Sequence, residues 1–314
     1  MEPLWTRSAK APGKAILFGE HAIVYGRPAA TLAIDLPTTV KTFAFSREEM
    51  TLDGSPEAFQ LNPYLKETAR IEGIRGMDVK VHSDIPRASG LGSSAALISA
   101  FLTTLSPGPI DKAELARKSF ICEFSAQKIG SPADTSTVSA GGMIAIGSKG
   151  YGERLWEIPA MEGRGPWKVS RLKDPGWKWV VAYSGLPKAT GPCVTAVGER
   201  LKKDSTHILD RISGVTEDGI HALTDADRKE VGRLMNLNHE LLLELGVGHP
   251  RLEEMTRSVK DHVLGVKITG AGQGGSLVAL PKEGDEERVA KLFAKAGSLP
   301  FVVRSSPQGA SLLP

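Results

Sequence analysis

The sequence predicts an α+β fold built as two lobes, and three features of the chain carry this prediction. Its 314 residues exceed the size at which one hydrophobic core usually suffices. Segments with strand character are interspersed with segments of helical period along the whole length. A segment at 165–177 opens with Gly-Pro, contains Pro-Gly and carries two tryptophans, and we interpret it as the seam. We therefore expect an N-terminal lobe at 1–177 and a C-terminal lobe at 178–314.

The N-terminal half alternates between strand and helix signals. Runs of apolar and β-branched residues predict strands at 14–18, 29–36, 40–45, 77–85 and 143–147. Helical patterns occupy 62–71, 93–105 and a stretch that begins at Asp111, in an apparent capping box with Glu114, and stops at Gly130. The segment 131–142 is polar and rich in turn residues.

The C-terminal half opens with a buried strand and then becomes mainly helical. Strands are predicted at 179–184, 263–269, 276–280 and 301–304. Helices are predicted at 192–202, 227–245, 251–262 and 285–296.

Composition excludes several classes of protein. The 39 basic and 36 acidic residues give a net charge of +3 without a basic block, and aromatic residues are only 6%. A nucleic-acid-binding module needs a basic face studded with aromatic residues, so we expect no nucleic-acid partner. Cys122 and Cys193 are too few for a disulfide scaffold or a four-cysteine zinc site, and they fit a reducing cytoplasm.

Targeting and membrane signals are not apparent. The first ten residues contain no apolar core of a secretory signal. The stretch 88–110 is uncharged and long enough to span a bilayer, but serine, threonine and glycine interrupt it. We expect no membrane association and a cytoplasmic protein.

The segment 86–96 is a glycine- and serine-rich loop that leads into an uncharged helix. Its small residues allow a ligand to approach the backbone, and the first turn of the helix offers free N–H groups. This arrangement is typical of a phosphate site, to which the hydroxyls of Ser93 and Ser94 could add phosphate or Mg²⁺ contacts. The alternative at this point is a glycine turn with serine caps.

Known nucleotide motifs do not account for this loop. A dinucleotide-binding fold needs the glycines directly after the first strand and an acid at the end of the second. Here three residues intervene after Pro86, and Asp111 starts a helix. No P-loop motif exists, because Ala15 follows Gly13-Lys14, and the protein-kinase signatures are absent from the sequence.

Two further glycine-rich segments carry polar residues. The segment 267–276 places four glycines within six positions between two strands, which favours a loop that faces a ligand. In the segment 11–26, Lys14 begins an apolar strand, and Glu20 with His21 follows its far end. Glu20 or His21 alone would be an ordinary loop residue, but with Lys14 they form a polar cluster.

Two carboxylates are candidates for chemistry. Glu123 lies at the edge of the apolar face of its helix, where it needs a cation or hydrogen-bond donors. A salt bridge and Mg²⁺ ligation are both open, since Mg²⁺ prefers one or two carboxylates with substrate phosphates. Asp134 lies among hydroxyls and glycines, where it either caps a turn or accepts a proton from a substrate hydroxyl.

Taken in order, the three loops resemble the signature motifs of the GHMP kinase superfamily, most closely those of its mevalonate-phosphorylating members. The resemblance is carried by Pro-Gly-Lys-Ala-Ile-Leu-Phe-Gly-Glu-His-Ala-Ile-Val-Tyr-Gly at 12–26, Gly-Leu-Gly-Ser-Ser-Ala-Ala at 90–96 and Lys-Ile-Thr-Gly-Ala-Gly-Gln-Gly-Gly at 267–275. It implies a ribosomal-S5-like N-terminal lobe, a ferredoxin-like C-terminal lobe and an active cleft between them. It also implies ATP-dependent phosphorylation of the C5 hydroxyl of mevalonate.

The resemblance implies a role for each matching residue. Asp134 and Lys14 are implied as catalytic, and Glu20, His21 and Thr190 as substrate-binding. Ser94 and Glu123 are implied as ligands of Mg²⁺, with ATP as co-substrate. The implied ATP-binding residues are Pro86, Arg87, Ala88, Ser89, Gly90, Leu91, Gly92, Ser93, Ser94, Ala95, Ala96, Gly270, Ala271 and Gly272.

Related activities stay open at this point. They are mevalonate 3-kinase, phosphomevalonate kinase, homoserine kinase and galactokinase, although homoserine kinases lack the aspartate base and galactokinases continue differently after Gly-Glu-His. The expected partners are ATP and mevalonate, and homodimer formation is left open. Gln273 departs from the family pattern, which usually has glycine there.

Overall fold

The computed structural model describes residues 2–128, 130–147, 149–187, 190–203 and 207–314, and at 190–192, 194, 196, 202 and 203 it describes the backbone alone. Within these ranges the chain forms two β-sheets with helices packed against them. The strands are β1 (Trp5–Phe18), β2 (Ala29–Ala44), β3 (Thr51–Leu52), β4 (Met77–Ser83), β5 (Met143–Gly147), β6 (Glu153–Ile158), β7 (Trp167–Leu172), β8 (Trp179–Tyr183), β9 (Val263–Thr269), β10 (Ser276–Pro281), β11 (Leu299–Val303) and β12 (Ser311–Leu313). The helices are α1 (Pro56–Leu61), α2 (Pro63–Glu72), α3 (Ser93–Leu105), α4 (Lys112–Gln127), α5 (Ala133–Ala140), α6 (Thr190–Lys203), α7 (His207–Thr224), α8 (Arg228–Glu244), α9 (Pro250–Val259) and α10 (Glu286–Lys295).

The larger sheet has eight strands in the order β12-β1-β2-β5-β7-β6, and β4 joins β2 with β3 at its side. The strands predicted at 29–36 and 40–45 form one continuous strand, β2, which changes its pairing partner along its length. Its first part pairs with β5 and its last part with β4, and Pro37 falls between these ladders, where no N–H group is needed. β1 bulges against β2 on both sides of Lys14.

The smaller sheet forms the core of the C-terminal half. Its four strands are antiparallel in the order β11-β8-β10-β9, which is the fourth-first-third-second order of a ferredoxin-like βαββαβ unit. The expected ferredoxin-like C-terminal fold is therefore confirmed. Trp179 and Phe293 are among its fully buried side chains.

The region of the predicted seam is more regular than expected. Trp167 begins β7 of the larger sheet, so the irregular connection shortens to the residues between Leu172 and Trp179. The division at 177/178 stays a prediction, although β12 returns from the C-terminal half to pair with β1.

Four helical features differ from the predictions. The segment 131–142 contains the helix α5, which is buried nearly all round, so no amphipathic period marks it. Thr137 Oγ1 donates to the Ala133 carbonyl at 2.6 Å and lies 2.6 Å from Thr31 Oγ1, whereas the buried hydroxyls of Ser136 and Ser139 have no hydrogen-bond partner among the described residues. α4 ends with Lys128 in the left-handed conformation, before Gly130. α1 and α7 were not predicted.

The segment after β11 braces α5. The Ala310 N–H donates to the Val138 carbonyl at 2.9 Å, and the Gly142 N–H donates to the Ser306 carbonyl at 2.6 Å. Gly309 touches the backbone of Ser139 so closely that a Cβ atom would overlap its carbonyl group. The helix that carries Asp134 is thus held from the C-terminal end of the chain.

Replacing Gly309 with Ala should lower the free energy of unfolding by about 2 kcal/mol, because backbone atoms cannot move aside as a flexible side chain can. The matched control is Gly214→Ala within α7, where nothing lies within 4 Å of an added Cβ. That change should raise the free energy of unfolding by about 0.5–1 kcal/mol. Urea denaturation measures both variants, and equal stabilities would contradict the bracing role.

Candidate active site

A cleft of about 890 Å³ lies where the loop before α3 faces the β9–β10 loop. Many of the predicted site residues line it: Lys14, His21, Arg87, Ala88, Ser89, Gly90, Gly92, Ser93, Ser94, Glu123, Asp134, Gly270 and Ala271. The predicted residues that do not line it are Pro86, Leu91, Ala95, Ala96, Gly272 and Glu20. Segments far apart in the chain therefore meet in one cleft.

Lys14 connects three of these segments. Its side chain is only 3% exposed, and its Nζ lies 3.0 Å from Asp134 Oδ1. The same ammonium group donates to the Gly90 carbonyl at 3.0 Å. Gly92 makes this path possible, because a Cβ there would lie 2.7 Å from Lys14 Cγ. Sequence spacing could not show that Lys14 and Asp134 meet, and the structure brings them into contact.

The loop before α3 has the backbone of an anion site. Gly90 and Gly92 have φ values of 82° and 84°, which favour glycine, and Ala88 adopts a φ of 55°. α3 begins at Ser93, so the N–H groups of its first turn have no partner within the helix, and Ser93 and Ser94 line the cleft. A phosphate group at this position would also be favoured by the helix dipole.

Glu123 enters the cleft from α4 beside this helix start. Ser94 Oγ donates to Glu123 Oε1 at 2.5 Å, and no Lys or Arg nitrogen of the described residues forms an ion pair with this carboxylate. Burial, followed by the negative charge of Asp134, raises the pKa of Glu123 to about 7, against the opposing effects of Ser94 and Lys14. The salt-bridge alternative is not formed in the described part of the chain.

The residue types around Glu123 fit a divalent cation. Carboxylate and hydroxyl oxygens are the ligands that Mg²⁺ prefers, and a cation would offset the repulsion between Glu123 and Asp134. Within the described residues, no group of three or more His, Cys, Asp or Glu side chains is placed to hold a metal.

Tyr64 and Gln127 are site residues to which the sequence analysis assigned no function. Gln127 Nε2 donates to the Tyr64 hydroxyl at 3.1 Å and lies 3.5 Å from Glu123 Oε1. Burial, together with the charge of Glu123, raises the pKa of Tyr64. The spacing of four residues between Glu123 and Gln127 was the available signal, since it puts both side chains on one face of α4.

Glu20 lies behind the cleft and not in it. Its carboxylate is fully buried and accepts a hydrogen bond from Lys267 Nζ. Burial raises the pKa of Glu20 and lowers the pKa of Lys267, while each partner opposes the shift of the other. The expected contact between Glu20 and substrate has no support in this geometry.

His21 follows Glu20 and does line the cleft. Its φ of 62° is left-handed, and its Nε2 lies 2.9 Å from the Ala271 carbonyl oxygen. Because a carbonyl only accepts, Nε2 carries a proton in this contact. His21 thus joins the first glycine-rich segment to the third.

The third loop divides into two parts. Gly270 and Ala271 line the cleft, whereas Gly272 packs against Val247 in the loop after α8. Gln273 has a φ of 54°, and its N–H donates to the Val247 carbonyl at 2.8 Å. Its exposed side chain also donates to the Gly246 carbonyl at 3.4 Å. Gln273 therefore ties this loop to the α8–α9 connection.

Two predictions remain, the role of Thr190 and the lack of a membrane-spanning segment. Thr190 is the first residue of α6, but its side chain lies outside the described part of the chain, so its role stays a prediction. None of the helices that the structure describes is long and apolar enough to cross a membrane.

Comparisons with known proteins cover nearly the whole chain. The family models described as GHMP kinases N terminal domain and GHMP kinases C terminal match residues 59–142 and 220–298. The mevalonate kinase of Thermococcus sibiricus is 32% identical, with 96% of each chain covered. A crystal structure of a mevalonate kinase has a TM-score of 0.75 at 27% identity, covering 96% of this chain and 99% of that one. The L. major mevalonate kinase in complex with R-mevalonate shares the fold, with a TM-score of 0.80 at 20% identity, covering 98% of this chain and 99% of that one.

The buried position of His239 on α8 leads us to expect a measurable effect of pH on the free energy of unfolding. Its Nδ1 accepts from the Ile268 N–H at 3.4 Å, and its Nε2 lies 3.7 Å from Glu253 Oε1. Burial, followed by the charge of Lys267, lowers its pKa from 6.5 to about 4. Between these values the unfolded chain takes up a proton that the folded chain does not, so stability falls as pH drops from 6.5 to 4.

The contribution of His239 to this loss is about 3 kcal/mol, and His239→Asn should remove it. Asparagine retains an acceptor for the Ile268 N–H but does not titrate. Urea denaturation of both proteins at several pH values between 4 and 7 measures the difference in slope. Parallel pH profiles for the two proteins would contradict the shifted pKa.

Proposed function

The chain belongs to the GHMP kinase family, and we propose that it is a mevalonate kinase, which transfers the γ-phosphate of ATP to the C5 hydroxyl of (R)-mevalonate for isoprenoid precursor synthesis. The observation that carries the proposal is the contact of Lys14 with Asp134 beside the glycine-rich loop. The 32% identical mevalonate kinase relative, covered over 96% of its length, supports the same acceptor.

The lining of the cleft contains groups that suit both substrates. Its apolar side chains, including Leu52, Val81 and Leu97, fit the adenine ring of ATP. Lys14, His21 and Asp134 fit a small polar acceptor. Ser93 and Ser94 at the α3 N-terminus line the same cleft, where they fit the phosphates.

The chemistry is a direct in-line transfer. The C5 oxygen of mevalonate forms a bond to the γ-phosphorus, the bond from that phosphorus to the bridging oxygen breaks, and ADP leaves. Asp134 accepts the proton of the C5 hydroxyl. Lys14 orients the Asp134 carboxylate and stabilises negative charge on the transferring group. Positioning and electrostatic stabilisation supply most of the rate enhancement in such reactions.

We propose Ser94 and Glu123 as the residues that hold Mg²⁺. When bound, the cation neutralises charge on the phosphates and orients them. Their oxygen donors and the buried position of Glu123 support this assignment. Ser94 and Gln127 both contact Glu123 Oε1, and these contacts hold the carboxylate in place for the cation. Cytoplasmic location and homodimer formation stay predictions.

A panel of acceptors tests the function. With ATP and Mg²⁺, the purified protein should phosphorylate mevalonate, and phosphorus NMR should locate the new phosphate on the C5 oxygen. Homoserine, galactose and phosphomevalonate should be at least about 100-fold poorer acceptors by kcat/KM. Phosphate on the C3 oxygen, or a preference for another acceptor, would replace the proposal with the corresponding family activity.

Replacing Asp134 with Asn should lower kcat at least about 100-fold at saturating substrates, because the amide cannot accept the proton. The matched control is Asp111→Asn at the N-cap of α4, where asparagine caps equally well. That control should keep the activity of the unmodified protein. Retained turnover in the Asp134 variant would rule out its role as the base.

Replacing Glu123 with Gln should raise the Mg²⁺ concentration for half-maximal activity at least about tenfold, because an uncharged ligand binds Mg²⁺ weakly. Glu114→Gln is the control on the same helix, with a side chain 51% exposed. Titration with Mg²⁺ at fixed ATP measures both variants. An identical metal titration for Glu123→Gln and the unmodified protein would exclude the ligand role.

A further inference from the structure

Lys267 is an unusual residue for its position. It lies in β9, where every neighbour from Gly265 to Thr269 is buried, and its own side chain is 0% exposed. Burial of an ammonium group costs several kcal/mol unless it is paired and hydrogen-bonded. A charged residue in an apolar strand was the sequence signal for this site.

The ammonium group of Lys267 is paired with one carboxylate and one carbonyl. It donates to Glu20 Oε1 and, at 2.7 Å, to the carbonyl of Ile268. The other oxygen of Glu20, Oε2, is buried and has no hydrogen-bond partner within the described residues. A buried ion pair with an unsatisfied oxygen is a poor source of stability, since apolar residues of similar size often do as well.

The pair adjoins, through the chain, the residue that lines the cleft. Glu20 is bonded to His21 through the chain, and His21 Nε2–H donates to Ala271 in the loop that follows β9. Lys267 thus anchors one end of the His21 loop, and the β9–β10 loop anchors the other. Both anchors come from the C-terminal half, whereas Lys14 and Asp134 belong to the N-terminal half.

We infer that the buried pair of Lys267 and Glu20 positions His21 for mevalonate, and that neither member of the pair touches the substrate. This inference rests on the proposed function and deepens it. It assigns Lys267 a role in the acceptor site and changes the role of Glu20 from substrate contact to positioning. Lys267 and Glu20 are positioning residues, and His21 is the residue of this group that faces the cleft.

Kinetics of Lys267→Met test the inference, because methionine keeps the length of the side chain and removes its charge. The KM for mevalonate should rise about tenfold or more, while the KM for ATP changes less than about twofold. A purely structural role would reduce the amount of folded enzyme and leave both KM values unchanged. Lys118→Met, which breaks a surface pair with Glu72, is the matched control and should change neither KM value.

A double-mutant cycle shows whether Lys267 acts through His21. In a His21→Gln background, Lys267→Met should have no further effect on the KM for mevalonate. If the two effects multiply, Lys267 acts independently of His21 and the inference is overturned. Should Lys267→Met fail to fold, Glu20→Gln/Lys267→Met removes both buried charges, and it should fold with the same raised KM for mevalonate. A normal KM in that variant would equally overturn the inference.

Nitrogen NMR of the His21 ring separates this inference from the proposed function. The unmodified, ligand-free protein should show a single tautomer with the proton on Nε2, and Lys267→Met should show a mixture of tautomers. If the protein fails to phosphorylate mevalonate but the tautomer changes as expected, the substrate is wrong and the positioning stands. If mevalonate is phosphorylated and the tautomer is the same in both proteins, the positioning is wrong.

Discussion

The site depends on the two contacts of the Lys14 ammonium group, one with Asp134 and one with the Gly90 carbonyl. This group lies 3.0 Å from both Asp134 Oδ1 and the Gly90 carbonyl, so one buried cation links β1, the loop before α3 and the start of α5. The path of its side chain requires that residue 92 lack a Cβ. The same glycine provides the left-handed turn that starts α3, so the geometry of the helix start and the position of the lysine share one requirement.

A second constraint joins the two halves of the chain through β9 and β10. The Ile16 N–H donates to Thr269 Oγ1 at 2.8 Å, and Ser276 Oγ donates to the Ser89 carbonyl at 2.9 Å. The Lys267–Glu20 pair lies in the same interface. The third glycine-rich motif therefore supports the first motif and the loop at 86–96, besides lining the cleft with Gly270 and Ala271.

The carboxylates of the cleft differ in their surroundings, and this difference suits different roles. Glu123 is buried beside Ser94 and has a raised pKa, which makes a cation its natural partner. Asp134 is 31% exposed in the first turn of α5 and contacts Lys14, so a substrate hydroxyl can reach it. The different surroundings of the two carboxylates are consistent with the separate roles of metal ligand and base proposed for them.

Local features were readable from the amino-acid order alone. α3 has its predicted bounds, as do β5 and β9, because runs of apolar residues between glycine or proline signals depend on nearby residues only. The loop at 86–96 and the candidates Lys14, Glu123 and Asp134 were equally visible, since glycines and polar residues in apolar surroundings are local signals. α5 was missed because a helix buried all round has no polar face, and β12 because a three-residue strand needs β1 as its partner. The pairing of Lys267 with Glu20, 247 positions apart, was decided by tertiary structure alone, because only folding brings such distant charges together and removes both from water.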